Sequence, residues 1–266
     1  MKIQYCSDLH LEFSENKEFL KKNPLKPMGD ILLLAGDIVP FAIMNKHEDF
    51  FNYIAENFKI TYWIPGNHEY YYYDIAEKQT ILNEKIRDNI FLVNNIAIQQ
   101  DHVRFIFSTL WSIINPEHTW SIQQHVSDFH VIKFNKERLL PVQFNELHRK
   151  SLSFLKNELN RDYIGNTIVV THHVPTLFNY PEKYKGSELS DAFVVELYDF
   201  IAASHIDYWI FGHHHANMGA FTIGKTNMLT NQLGYVRYNE NEGFDNKTYI
   251  DINNFDNQYN KAIFAQ

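Results

Sequence analysis

Residues 30–38, DILLLAGDI, run an unbroken apolar stretch directly into Gly36 and Asp37. A short run with no polar alternation suits a strand covered on both faces, as parallel strands are in α/β proteins. A carboxylate released at the end of such a strand stands where these proteins usually keep their chemistry. The same pattern recurs along the chain. KIQYC (2–6) leads into SDLH with Asp8 and His10, and ITYWIP (60–65) into GNHE with Asn67 and His68. NTIVV (166–170) leads into THH with His172 and His173, and IDYWI (206–210) into FGHHH with His213 and His215.

Around these segments, strand patterns near 2–6, 30–35, 60–64, 90–93 and 103–108 alternate with helical patterns near 46–58 and 74–87. That alternation implies crossover units and a largely parallel sheet. Between Trp111 and Pro141 the pattern loosens, and residues 111–141 read as an insertion or lid over the mouth of a site. A 3.6-residue period then spans about 143–160 through Phe144, Leu147, Leu152, Leu155 and Leu159. A strand, a helix and a strand follow to Phe211. FTIGKTNMLTN reads as a hairpin turning at Gly224 and KTYIDI as a strand, so the last part is antiparallel. No repeat or linker interrupts the chain, and low complexity is confined to an Asn-rich stretch from Asn253 to Asn260. One domain spanning 1–266 is the simplest organisation.

Composition narrows the function classes. With 45% hydrophobic and 15% aromatic residues, the 266-residue chain can bury a large core. It contains no run of 18 apolar residues and opens on a short strand pattern, so a soluble, cytoplasmic protein without a membrane span is expected. The single cysteine, Cys6, excludes an internal disulfide framework and a thiolate metal cluster. A net charge of −8 and a pI near 5.9 argue against an extended nucleic-acid face, which needs clustered Lys and Arg. They say little about a small phosphorylated substrate, because metal ions can supply the local positive field.

Asp8, His10, Asp37, Asn67, His172, His213 and His215 are imidazole and hard-oxygen donors, a set suited to zinc, manganese or iron. In an extended segment positions i and i+2 point to one side, so Asp8 with His10, and His213 with His215, can each grip one region. Leu9 and His214 should then face away. Of the neighbours His172 and His173, His172 comes first after the strand and is favoured. Gly-Asp or Asp-x-His alone would more often be a turn or a cap. GNHE is stronger, and the order of all five segments, each after a strand, is stronger still.

In that order the chain resembles the calcineurin-like metallophosphoesterases, whose motif reads D-x-H, G-D, G-N-H-E/D, H, G-H-x-H. The resemblance runs from Asp8 to His215 and fills every ligand position. It implies a four-layer α/β sandwich, two mixed β-sheets packed face to face and flanked by helices. It also implies that Asp8, His10 and His215 hold one metal ion, that Asn67, His172 and His213 hold the other, and that Asp37 bridges them. A hydroxide shared by the two ions would attack phosphorus in line. His68 would be the general acid or transition-state stabiliser, and Glu69 would brace the loop.

The departures matter too. Ser/Thr protein phosphatases of this family continue as G-D-x-x-D-R-G, whereas this chain reads GDIVPF and GNHEYYYYD. It lacks the Arg that grips phosphate and the Asp that orients the catalytic His, which disfavours a protein phosphatase and leaves the partner of His68 unassigned. SDLHLEF, PGNHEYY, THHVP and N-x-x-G-Y (Asn231 to Tyr235) look most like small bacterial metallophosphoesterases of undefined substrate. The expected activity is hydrolysis of a small phosphomonoester or phosphodiester; a non-catalytic scaffold of the same fold and a nuclease are the alternatives. Tyr70 to Tyr73 either stack on a base or sugar or alternate into the core.

Overall fold

The computed structural model describes residues 1–78 and 80–252; the Asn-rich stretch from Asn253 lies outside the described residues. β1 (Lys2–Cys6), β2 (Ile31–Ala35) and β3 (Ile60–Ile64) run parallel. β4 (Leu82–Arg87) turns through Asp88 and Asn89 into β5 (Ile90–Asn94), which joins β3 in parallel. β6 (Ile96–Gln100) and β7 (Val103–Ser108) open a second sheet as an antiparallel pair. After the short hairpin of β8 (Lys133–Phe134) and β9 (Glu137–Arg138), β10 (Asn166–Thr171) pairs parallel with β7, and β11 (Tyr208–Ile210) parallel with β10. β12 (Phe221–Ile223) and β13 (Thr226–Leu229) form the expected hairpin at Gly224, and β14 (Tyr249–Asp251) returns antiparallel to β1. The two mixed six-stranded sheets run β14-β1-β2-β3-β5-β4 and β12-β13-β11-β10-β7-β6.

Side-chain alternation builds the layers. Ile3, Tyr5, Ile31, Leu33 and Ile64 of the first sheet meet Val103, Phe105, Phe107, Ile168 and Val170 of the second. On the other face of the first sheet, Leu32, Leu34 and Trp63 pack with Leu20 of α1 (Ser14–Lys22) and with Phe51 and Ile54 of α2 (Glu48–Asn57). The 111–141 stretch contains α3 (Thr119–His125) and α4 (Asp128–Val131). Its residues Ile122, Val126, Phe129 and Ile132 form a separate apolar cluster with Tyr70, Trp111 and Phe144. Outside the second sheet, Ile106, Val169 and Trp209 pack with Leu155 of α5 (Pro141–Leu159) and Ile201 of α6 (Tyr198–Ala203). The arrangement is the helix–sheet–sheet–helix α/β sandwich that the motif order implied.

One element departs from the sequence reading. The helix expected at 74–87 is a single 3-10 turn at Ile75–Glu77 followed by strand β4. Residues 82–86 carry Leu, Glu and Ile at every second position, Leu82 is buried beside Ile90 and Leu92, and the edge of the first sheet offers β5 as a partner. Pairing at that edge overrode a weak helical propensity, as tertiary context often does.

Candidate metal centre

The five motif segments leave the C-terminal ends of β1, β2 and β3 in one sheet and of β10 and β11 in the other, and the two sets of ends meet. A hydrogen bond from His172 Nδ1 to the carbonyl of Ala35 crosses between the sheets at 2.9 Å. Asp8, His10, Asp37, His213 and His215 all have positive φ, between 47° and 79°. Asp8 and His10 therefore do reach one region, but through left-handed turns and not through the extended backbone the spacing suggested, whereas His213 and His215 divide between two groups. Left-handed Asp and His cost on the order of 1–3 kcal/mol each and persist where the surroundings over-determine them. Here Asp8 N–H bonds Gly36 O at 2.9 Å, His10 N–H bonds Asp37 O at 3.0 Å, and His213 N–H bonds the Asp8 carboxylate at 3.1 Å.

All seven candidate side chains converge in two groups that share Asp37. Asp8, His10, Asp37 and His215 form one, and Asp37, His172 and His213 the other, each with its donor atoms within 4.8 Å of one another. Asn67 joins the second group, its Oδ1 3.1 Å from His172 Nε2. The oxygens of Asp37 divide between them: Oδ1 lies 3.3 Å from His172 Nε2, and Oδ2 3.9 Å from His10 Nε2. His173 lies behind His172, between Trp111 and Phe144, with neither ring nitrogen bonded to any described residue. His214 turns to Gln232.

The chemistry of the donors fits a pair of cations. His172 Nδ1 faces a carbonyl, His10 Nδ1 faces Glu12 at 3.1 Å, His215 Nδ1 faces Glu240 at 2.7 Å and His213 Nε2 faces the Ala192 carbonyl at 3.4 Å. Each of these nitrogens must carry the proton, because its partner can only accept. The other nitrogen of each ring then points inward: His10 and His215 meet Nε2 to Nε2 at 2.9 Å, and His172 Nε2 meets His213 Nδ1 at 3.1 Å. Two ring nitrogens this close share a cation, either a proton held on one ring of the pair or a metal ion in its place. Two nitrogens about 2.0–2.1 Å from one ion at tetrahedral angles stand roughly 3.3 Å apart, close to these separations. The field points the same way. Burial opposes charge on His172, yet Asp37 and Asp8 carry its pKa up to about 9; against the same burial penalty, Asp8 and Glu240 carry His215 up to about 10.

Glycine makes the convergence possible at Gly66. A Cβ there would collide with Asp37 Oδ1 and come within 2.6 Å of His172 Nε2. Gly66→Ala should therefore splay both groups. We expect metal content to fall and turnover to drop by about 10²-fold or more, the scale of an ångström's misplacement, with the circular dichroism spectrum unchanged. A fully active, metal-replete Gly66→Ala would show that this approach is not required.

His68 stands beside the centre and is only 6% exposed. Its ring meets His10 edge-on at 4.4 Å and stacks on Tyr71 at 3.9 Å. Nδ1 lies 2.9 Å from Glu12 Oε1, and Nε2 lies 3.3 Å from the Tyr235 hydroxyl and 4.0 Å from Asp37 Oδ2. Burial works against a charged His68, but Asp37 and Glu12 outweigh it and raise its pKa. Glu69 braces the loop, its carboxylate accepting from the backbone N–H groups of Asp37, Ile38, Val39 and Gly66 and from the Trp63 indole. Asp128, from the 111–141 stretch, accepts from the Asn67 amide and the Tyr71 hydroxyl, each at 2.9 Å, and so turns Asn67 Oδ1 toward His172. Of the four tyrosines, Tyr70 is buried, Tyr72 is exposed, Tyr73 packs on Phe41 and Tyr71 alone borders the site.

A cavity of about 360 Å³ opens over Asp37, Asn67, His68, His213 and His215. One wall comes from His125 to Asp128, and the other from Tyr180, Tyr184, Ser190 and Phe193. This second wall has no motif and sequence reasoning missed it, along with Glu12, Asp128 and Glu240. Glu12 alone left a trace, inside the SDLHLEF opening. Trp111, where the loosened stretch begins, is a core residue against Phe144.

The chain is similar to several known proteins. An uncharacterized protein, L509, of Acanthamoeba polyphaga mimivirus is 32% identical over 280 residues, covering 94% of this chain and 96% of that protein. A phosphopantetheinyl hydrolase from Mycobacterium tuberculosis superposes with a TM-score of 0.65 at 15% identity over 94% of this chain and 95% of its own, a likeness of fold. A dimetal phosphatase from Danio rerio aligns over 86% of both chains at 13% identity and a TM-score of 0.49. No described helix is long and apolar enough to cross a membrane. The sequence profile of the calcineurin-like phosphoesterases matches residues 1–217, and the chain belongs to that family of metal-dependent phosphate-ester hydrolases.

Proposed function

We propose that this chain hydrolyses a small phosphomonoester or phosphodiester at a dinuclear centre. In this reading Asp8, His10 and His215 hold one ion, Asn67, His172 and His213 the other, and Asp37 bridges them. The observation that carries the reading is the split of Asp37, with one oxygen in each group of inward-facing ring nitrogens. Two bound divalent or trivalent ions, whether manganese, iron or zinc, would activate water and offset charge on the phosphoryl oxygens.

The chain's own residues do the rest. His68 keeps its Nδ1 proton on Glu12 and presents Nε2 to the cavity, where it can pass a proton to the leaving oxygen or hold a phosphoryl oxygen. Asp128 and Glu240 fix the orientation of Asn67 and His215. The substrate's remaining part meets Tyr71, Tyr180, Tyr184 and Phe193, and among the described residues no Lys or Arg lines the cavity. A walled, arginine-free cavity suits a small ester and offers a phosphoprotein or a nucleic-acid strand little to grip.

The test is a panel on metal-loaded protein: nitrophenyl phosphates and phosphodiesters, nucleotides, a phosphopantetheine ester such as the mycobacterial neighbour is named for, and phosphopeptides. We expect at least one small ester to exceed every phosphopeptide in kcat/KM by about tenfold or more, roughly 1.4 kcal/mol. A phosphopeptide turned over faster than every small ester would overturn the reading.

A further inference from the structure

The sequence lacks the aspartate that in related phosphatases orients the histidine of GNHE, and the structure offers a different group in its place. Glu12, from SDLHLEF after β1, is largely buried at 13% side-chain exposure. Its Oε1 accepts from His10 Nδ1 at 3.1 Å and from His68 Nδ1 at 2.9 Å, while Oε2 has no hydrogen-bond partner among the described residues. A single oxygen thus takes the outer N–H of two imidazoles. One ring belongs to the candidate metal site, and the other stands beside it with Nε2 facing the cavity.

We propose that Glu12 is the positioning residue of His68, fixing the tautomer and ring plane that present Nε2 to the leaving oxygen and tying that orientation to His10. The proposal rests on the reading of His68 as the proton donor given above. A carboxylate oxygen can only accept, so a His68 ring held at Nδ1 keeps that proton and leaves Nε2 to exchange its own with substrate. Tyr71, stacked on the ring, limits its rotation, and Glu12, which unlike the Tyr235 hydroxyl at Nε2 can only accept, distinguishes its two nitrogens. The same contact keeps His10 Nε2 turned toward His215.

Glu12→Gln and Glu12→Ala separate positioning from general structure. The Gln side-chain oxygen can accept both N–H groups, and its amide would stand where Oε2 already lacks a partner. We therefore expect Glu12→Gln to keep both metal ions, the His68 tautomer and activity within about tenfold, the gentler end of what outer-sphere changes cost. Glu12→Ala should lower kcat by about 10²-fold, more for an alkyl ester than for a nitrophenyl ester. The imidazole nitrogen shifts of His68 should show the Nδ1–H form weakened in Glu12→Ala and preserved in Glu12→Gln.

Because residues acting as a unit are not additive, at equal metal content Glu12→Ala combined with His68→Ala should be little slower than His68→Ala alone. The proposal is overturned if Glu12→Ala leaves the His68 nitrogen shifts unchanged, or if the double variant shows two full, additive losses. Failure of the acid reading itself is separate: His68→Ala would then lose both esters equally, while the nitrogen shifts would still report whether Glu12 sets the tautomer.

Discussion

Asp37→Asn should be the most damaging single change in this chain, removing turnover by about 10³-fold or more and lowering metal content from two ions to one or none. The substitution preserves shape and removes one charge from a fully buried position that both groups share. Asp37 Oδ1 also accepts the backbone N–H of His68 at 2.9 Å, a bond that an Asn oxygen can keep, so the GNHE loop should hold its place and the loss should be electrostatic. Breaking a buried charge pairing costs about 3–5 kcal/mol, which at about 1.4 kcal/mol per decade is roughly 10²–10⁴ in affinity. Asp37 serves both groups, so the upper part of that range is expected. Asp8→Asn touches one group only and should cost less. Elemental analysis of protein from cells grown with manganese, iron and zinc, paired with kinetics before and after chelation, reads both effects. An Asp37→Asn protein holding two ions and acting within tenfold of the parent would contradict the bridging role.

His68→Ala should leave metal content unchanged and lower turnover by about 10²–10⁴, the usual contribution of a positioned proton donor. The separation of effects follows from geometry: His68 Nε2 is 4.0 Å from Asp37 Oδ2 and faces Tyr235, while the inward nitrogens of His10, His172, His213 and His215 contact one another's groups at 2.9–3.1 Å. The loss should be smaller for a nitrophenyl ester, whose leaving group needs no proton, than for an alkyl ester, whose alkoxide does. Equal losses would make His68 a stabiliser of the phosphoryl oxygens, and loss of a metal ion would make it a ligand.

Much of the fold was legible because local patterns report it. Unbroken apolar runs such as DILLLA mark strands covered on both faces, the 3.6-residue period marks α5, and Gly224 marks the β12–β13 turn. The order of the five strand-end segments identified the family, and their polar residues are the ones that meet. The limits of local reading have equally physical causes. Strand β4 was misread because edge pairing with β5 outweighs a weak propensity that the sequence shows in isolation. His172 and His173 are equivalent until the end of β10 meets the Ala35 carbonyl, which takes the Nδ1 proton of His172 and turns its Nε2 inward. Asp128 and the wall at 180–193 carry no motif, because any acceptor or ring delivered to the right place would serve.

By itself, then, the sequence determined the chemistry available: which donors exist, that they sit at strand ends, and that a single cysteine provides no thiolate cluster to compete with them. Only the tertiary structure decided how those donors are used. Which nitrogen of each imidazole keeps its proton depends on an acceptor brought from elsewhere in the chain, as with His215 and Glu240, 25 residues apart, or His68 and Glu12, 56 apart. Spacing along one segment cannot encode such a choice, because it is set by the hydrogen-bond partner that folding places against each ring.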